Sequence, residues 1–271
     1  MTRAAFGLIG MMLAGFAHAG LLISAEDAGS VSQQYFGQSE FVAIEQGQPT
    51  FGIDPQGNCW FLDGRQLVTD PCDRMLSVMG GVRDQAMAGL DPRQRAMMEQ
   101  MMGAGRNTQA VRPQPITGQT IAGYASDCYQ VGSERRVCVS ESLMREVMAA
   151  VGDARFIERF RDFSRSAAEM SGGPGTTEMA VNGLYEKGYP MLDQTRAASI
   201  PGIDPAMLRF LPENQRAQIM QQIGGGAAAV SGSQVVKVEK GASRPALGLS
   251  GYTRVGFQEY MQRNMGGMGR R

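Results

Sequence analysis

Short apolar runs of β-branched and aromatic residues dominate residues 21 to 70. They read LLISAED, SEFVAIEQG, PTFGI, CWFLD and GRQLVTD, and polar turn clusters such as DPQGN cut them apart. This pattern predicts an antiparallel meander. The period then lengthens to that of a helix. Asp70-Pro71 supplies an N-cap followed by proline at the first helical position, which predicts a helix through about Met79. Asp91-Pro92 repeats the device and starts PRQRAMMEQMM, which Gly103 ends. AGRNTQAVRPQPITG, residues 104 to 118, reads as a flexible connector with polyproline character.

Period two returns in IAGYASDCYQVGSERRVCVS, residues 121 to 140. Gly132, Ser133 and Glu134 form a polar three-residue loop, which pairs Val131 with Arg135, Tyr129 with Val137 and Cys128 with Cys138. Directly opposed cysteines lie within reach of a disulfide. Beyond the hairpin, Ser140 caps ESLMREVMAAV and Gly152 breaks it. ARFIERFRDFSRSAAEM then brings Phe156, Phe160 and Phe163 onto one helical face. YPMLDQTRAAS (189 to 199) and SQVVKVEK (233 to 240) read as strands with a helical excursion between them. The expected fold class is α+β, a curved antiparallel sheet with amphipathic helices covering one face.

The N-terminus changes the picture of where the chain works. MTRAAFGLIGMMLAGFAHAG has a basic Arg3, an apolar run from Ala4 to Phe16 too short to span a bilayer, and a small-x-small site at Ala17-His18-Ala19. Residues 1–19 are therefore expected to be a secretory signal peptide, with export to the periplasm. No cysteine follows the site, and no later apolar run suggests a transmembrane segment. Cleavage would remove His18, the only histidine, and with it any Ser-His-Asp or Cys-His site and any zinc site that uses histidine. Four cysteines allow three connectivities, of which Cys59 with Cys72 beside Cys128 with Cys138 is favoured. No C-x-x-C spacing supports redox chemistry.

Composition narrows the function classes. The chain carries 26 basic and 26 acidic side chains, so it has no electrostatic footprint for nucleic acid. Its 36 glycines include the clusters GGPG and GGG, but neither precedes Lys-Ser or Lys-Thr, and a phosphate-binding loop of that type is excluded. PRQRAMMEQMMGAG (92 to 105) and PENQRAQIMQQIGGG (212 to 226) echo one another, suggesting two equivalent helices on one sheet. Paired carboxylates, Asp70 with Asp73 and Glu158 with Asp162, fit capping and an exposed helix face better than acid/base work. No cofactor and no catalytic residue is expected.

The segments GNCWFLDGRQL, TIAGYASDCYQV, RRVCVS, KGYPM and ALGLSGYTRVGF, taken in that order, resemble a bacterial envelope family of unknown function, which is similar to the LolA-like lipoprotein carriers. The resemblance covers about residues 38 to 256. It implies a half-open antiparallel barrel with helices over an apolar face that can receive acyl chains. It implies no catalytic residues.

These readings converge on a non-catalytic periplasmic carrier for a lipid or other hydrophobic ligand, built as one domain over residues 20 to 256. A helical insertion is expected at 70 to 105 and a flexible Met-, Gly- and Arg-rich tail at 257 to 271. Met97, Met98, Met101, Ile219 and Ile223 are the residues expected to face the cavity, with Trp60 and Phe61 in its wall. Two alternatives belong to other classes. Met261, Met265 and Met268 offer soft ligands for Cu(I), and the Met-rich helices would equally dock onto an envelope protein partner.

Overall fold

A computed structural model describes residues 20–88, 91, 93, 111–170, 176–196 and 230–266. The expected signal peptide and the residues Met97, Met98, Met101, Met102, Ile219 and Ile223 lie outside that set, as does the helical excursion between the last two long strands.

Among the described residues twelve strands form a single curved, unclosed sheet. The first six are β1 (Gly20–Asp27), β2 (Ser30–Gly37), β3 (Glu40–Glu45), β4 (Gln48–Ile53), β5 (Asn58–Asp63) and β6 (Gln66–Pro71). Each pairs antiparallel with the next. Their tight turns follow from sequence. Ala28-Gly29 and Gln46-Gly47 each hold two successive residues at positive φ, the backbone of a two-residue hairpin, and glycine takes the second place where a side chain would be strained.

A second meander comprises β7 (Gln114–Ile121), β8 (Tyr124–Val131), β9 (Arg135–Ser140), β10 (Tyr189–Arg196) and β11 (Val230–Ala242). Strand β11 then pairs antiparallel with β1 and fuses the two meanders. A three-residue strand, β12 (Thr253–Val255), closes the far edge by pairing parallel with β6. The sheet therefore runs unbroken from β12 to β7.

Among the described residues five α-helices pack on it: α1 (Cys72–Ala88), α2 (Glu141–Val151), α3 (Ala154–Met170), α4 (Thr176–Tyr185) and α5 (Phe257–Gly266). Four of them share the main core on one face, here the inner face. There Leu143, Val147 and Val151 of α2, Phe156 and Ile157 of α3, Met75 of α1 and Phe257 of α5 meet inward side chains such as Ile23, Phe36 and Phe41. Each such burial contributes about 1.5–3 kcal/mol. The local signals for α2 act as anticipated. Ser140 Oγ accepts the Leu143 amide, and Gly152 ends the helix in the left-handed region, its N–H donating to Met148 O.

Both disulfides favoured by spacing are formed. Cys59 joins Cys72 and Cys128 joins Cys138. The stapled hairpin has the anticipated register, with Tyr129 opposite Val137 and Val131 opposite Arg135.

Several expectations change. Helices do not keep to one face: α4 lies on the outer face, where Val181 and Leu184 pack on Val131, Val137 and Val139. Strand alternation explains this, because β9 sends Val137 and Val139 outward while Cys138 points inward, leaving an apolar outer stripe to be covered. Residues 114 to 118 are not connector but the start of β7, whose place at the sheet edge tolerates Pro115. Helix α1 runs on to Ala88 past Gly80 and Gly81. Phe257–Gly266 form α5 rather than a flexible tail, because Phe257 is buried and Phe61 meets both its ring and that of Tyr260.

Candidate functional site

The outer face of the N-terminal meander carries a second, smaller core of Tyr35, Val42, Ile44, Trp60 and Leu67. No α-helix covers it among the described residues. Its cover is the strap 243–252 between β11 and β12, which lays Leu247, Leu249 and Tyr252 against the sheet. Two contacts fix the strap. At its start Arg244 forks onto Glu40, Nε donating at 2.8 Å to Oε2 and Nη2 at 2.5 Å to Oε1. At its end the Thr253 amide donates to Arg65 O at 3.0 Å.

The strap does not fill the space over the sheet. A cleft of about 820 Å³ remains beside it. That volume falls within the ~300–1,000 Å³ range of small-molecule sites. Its floor is aromatic because the sheet leaves room for large rings. Trp60 sits directly opposite Gly52, and a Cβ at Gly52 would lie 2.4 Å from the indole. Tyr35 lies over Gly20 and Gly37, where a Cβ would come within 2.3 and 2.8 Å of its ring. Glycine in a strand interior weakens the strand, and here the neighbouring ring occupies the space a side chain would take.

Most of the charge in the cleft is already committed. Glu40, buried at 5 % exposure, holds Arg244. Asp54 closes the β4–β5 turn, its Oδ1 accepting the amides of Gln56 and Asn58 and its Oδ2 the Asn58 side chain. Asp70 accepts the first amide of α5, Phe257 N–H, at 2.9 Å and pairs with Arg74. Burial, then the nearby Glu40 carboxylate, push the Tyr35 hydroxyl above its ordinary range, so it stays protonated at neutral pH. Arg254, projecting from β12 into the cleft, is exposed and has neither an ion pair nor a hydrogen bond among the described residues. The Thr69 hydroxyl and Trp60 indole N–H are uncommitted in the same sense.

Two other polar clusters act as latches. Under α4, Arg135 forks onto Asp193 at 2.7 and 2.6 Å, and the Tyr185 hydroxyl donates to the same carboxylate at 2.5 Å. Burial raises the Asp193 carboxyl, but hydrogen bonds from Arg135 and Tyr185 outweigh it and hold the group below the usual range. On the inner side, Tyr124 and Lys240 both donate to Glu146, tying α2 to β8 and β11. Neither cluster borders the cleft.

The residues anticipated as a site divide among these surroundings. Trp60 and Phe61 are adjacent on β5 and therefore face opposite ways. Phe61 packs toward α5 in the inner core, and Trp60 lines the outer cleft. Met261 packs against the inner core from α5, whereas the side chain of Met265 and the whole of Met268 lie outside the described residues. Among the described residues no group of three or more His, Cys, Asp or Glu side chains is placed to hold a metal ion. Asp70, anticipated as the cap of α1, receives the first amide of α5 instead. Glu40, Arg244 and Arg254 were not anticipated. The outward-facing Glu at the head of FVAI is a buried polar residue in an apolar strand, the one signal that marked it.

Comparison with protein-family models, curated proteins and solved structures yields no match. The functional reading therefore rests on this geometry.

Proposed function

We propose that the chain is a non-catalytic binding protein of the periplasm, and that the outer-face cleft is its ligand seat. The cleft carries this reading: it is of ligand size, has an aromatic floor, and keeps Arg254 free of partners among the described residues while Glu40 and Asp70 are ion-paired and Asp54 is hydrogen-bonded into its turn. Two disulfides fit an oxidising compartment outside the cytoplasm. Among the described residues no helix is long and apolar enough to cross a membrane. A pocket whose acids already serve a turn, a helix start and an ion pair suits holding a ligand better than proton transfer.

The chain's one tryptophan is Trp60, so its emission reports on the cleft alone. The test is to purify the full protein, unreduced, from a bacterial periplasm and to record native mass and tryptophan emission before and after adding periplasmic small-molecule extract. A retained mass together with shifted emission supports the cleft. A retained mass with unchanged emission sinks it.

A second reading, carriage of a hydrophobic ligand on the inner face, is favoured by one observation. Phe51, Phe61, Phe160 and Phe163 are only half-buried there, with Phe51 and Phe163 stacked at 5.5 Å. A lipid-sized mass that leaves Trp60 emission unchanged would favour this reading over the cleft.

A further inference from the structure

The cleft's uncommitted groups also describe its ligand, an inference that rests on the reading of the cleft as the seat. We propose that it takes a sugar bearing a single carboxylate. Three observations converge. First, the strands beneath it have their backbone groups engaged in ladders with both neighbours, as for β3, β4 and β5, so an extended peptide cannot join the sheet there and recognition must go through side chains. Second, the free side chains are mostly neutral donors and acceptors: Thr69, Gln38, the Tyr35 hydroxyl and the Trp60 indole N–H. Hydroxyls both donate and accept, so a polyhydroxylated ring satisfies such a mixed set, while its C–H face lies on the apolar floor.

Third, the charge count sets the number of negative charges on the ligand. Glu40, Asp54 and Asp70 line the cleft against Arg244 and Arg254, so the lining holds three acids and two bases. Arg244 is spent on Glu40, and Asp70 is neutralised from outside by Arg74. Asp54 remains as a negative charge in the turn, and among the described residues lining the cleft Arg254 is the cation left to meet a ligand. One carboxylate is matched by its planar fork; a polyphosphate would meet Asp54 with no further cation to offset it.

The test is a titration of the full, unreduced protein with galacturonate, which bears one carboxylate, and with its neutral counterpart galactose, followed by Trp60 emission. Arg254→Ala and Arg254→Lys are measured beside the parent, with circular dichroism to show that each folds; Arg254 is exposed, so folding should be retained. Galacturonate is expected to shift emission saturably and to bind at least about tenfold more tightly than galactose, a preference that Arg254→Ala abolishes and Arg254→Lys retains in part. Raising salt should narrow the gap.

Equal binding of the two sugars, or a preference untouched by Arg254→Ala, overturns the assignment of the carboxylate while leaving the cleft as the seat. A shift produced only by an acidic peptide overturns the sugar and likewise leaves the cleft. No shift with any of these probes, together with a retained periplasmic mass that does not perturb Trp60, overturns both.

Discussion

Replacing Asp193 with asparagine tests whether the latch under α4 holds the C-terminal half of the sheet. The carboxylate accepts two bonds from Arg135 and one from Tyr185, and the Arg135 and Asp193 side chains are only 18 and 17 % exposed. Removing one partner of a fully buried pair costs ~3–5 kcal/mol, whereas exposed pairs are worth ~0–1 kcal/mol. At this intermediate exposure a loss of about 2 kcal/mol is expected. The asparagine amide oxygen still accepts one bond, but its NH₂ faces two donors. Urea unfolding at pH 7, monitored by far-ultraviolet circular dichroism, measures the loss as a lower midpoint at unchanged slope. The cycle with Tyr185→Phe should return a coupling energy, because both changes remove the same hydrogen bond.

The pH dependence adds a sign. The Asp193 pKa is depressed in the folded state, so its contribution is present above the unfolded value of ~3.9 and is lost as pH falls through the lower folded value. The gap between parent and Asp193→Asn should therefore stay constant from pH 7 to about 5, begin to narrow below the unfolded value, and close only as pH falls through the lower folded value. A difference under about 0.5 kcal/mol at neutral pH, or a gap that persists unchanged in acid, would refute the latch.

Three further outcomes follow from the packing. Gly52→Ala puts a Cβ 2.4 Å from the Trp60 ring, so it should displace the indole, change its emission maximum and cost about 1–3 kcal/mol in urea unfolding. Phe156→Ala, at 1 % exposure in the inner core, should cost about 3–5 kcal/mol by the same assay, and a value below about 1 would mean that α3 does not pack as described. Replacing Cys128 and Cys138 together by alanine opens a bridge spanning a sequence separation of 10, worth about 3 kcal/mol in the chain-entropy account, so the thermal midpoint of the double variant should fall below that of the unreduced parent, and an unchanged midpoint would count against that account.

Where structure was decided by neighbours in sequence, the chain was readable. The register of the stapled hairpin follows from its three-residue loop, and α2 follows from Ser140 at one end and Gly152 at the other. Where structure was decided by neighbours in space, it was not. Residues 114 to 118 carry a proline and a glycine that locally suggest a linker, yet an edge strand asks only half of its backbone to pair, so β8 captures them. Asp70 stands beside Pro71 in a sequence that promises a cap for α1, but the amide it receives comes from Phe257, far along the chain. The cleft was the least legible feature. Its floor comes from β2, β5 and β6, and its cation from β12, and no local period links these residues. Trp60 and Phe61 looked like one wall because they are adjacent; in a strand adjacency means opposite faces.

That last point also explains why the two faces of this sheet serve different ends. An unclosed sheet must cover both of its sides, and the chain uses long helices on the inner face, where Phe36, Phe41 and Phe51 demand apolar partners. The outer face of the N-terminal half has a narrower apolar strip, and a strap of Leu247, Leu249 and Tyr252 meets it. A strap is one residue deep and cannot seal a surface as a helix does. It needs an anchor, which the Glu40–Arg244 pair supplies, and it leaves open ground beside that anchor, which is the cleft. Arg254 then enters the cleft because β12 joins β6 in parallel, the one parallel pairing among the described strands, which brings the chain back along the sheet edge instead of away from it. The free cation and the covered aromatic floor are thus both products of how residues 243 to 255 return across the sheet, and the functional reading depends on that segment more than on the helices that cover the inner face.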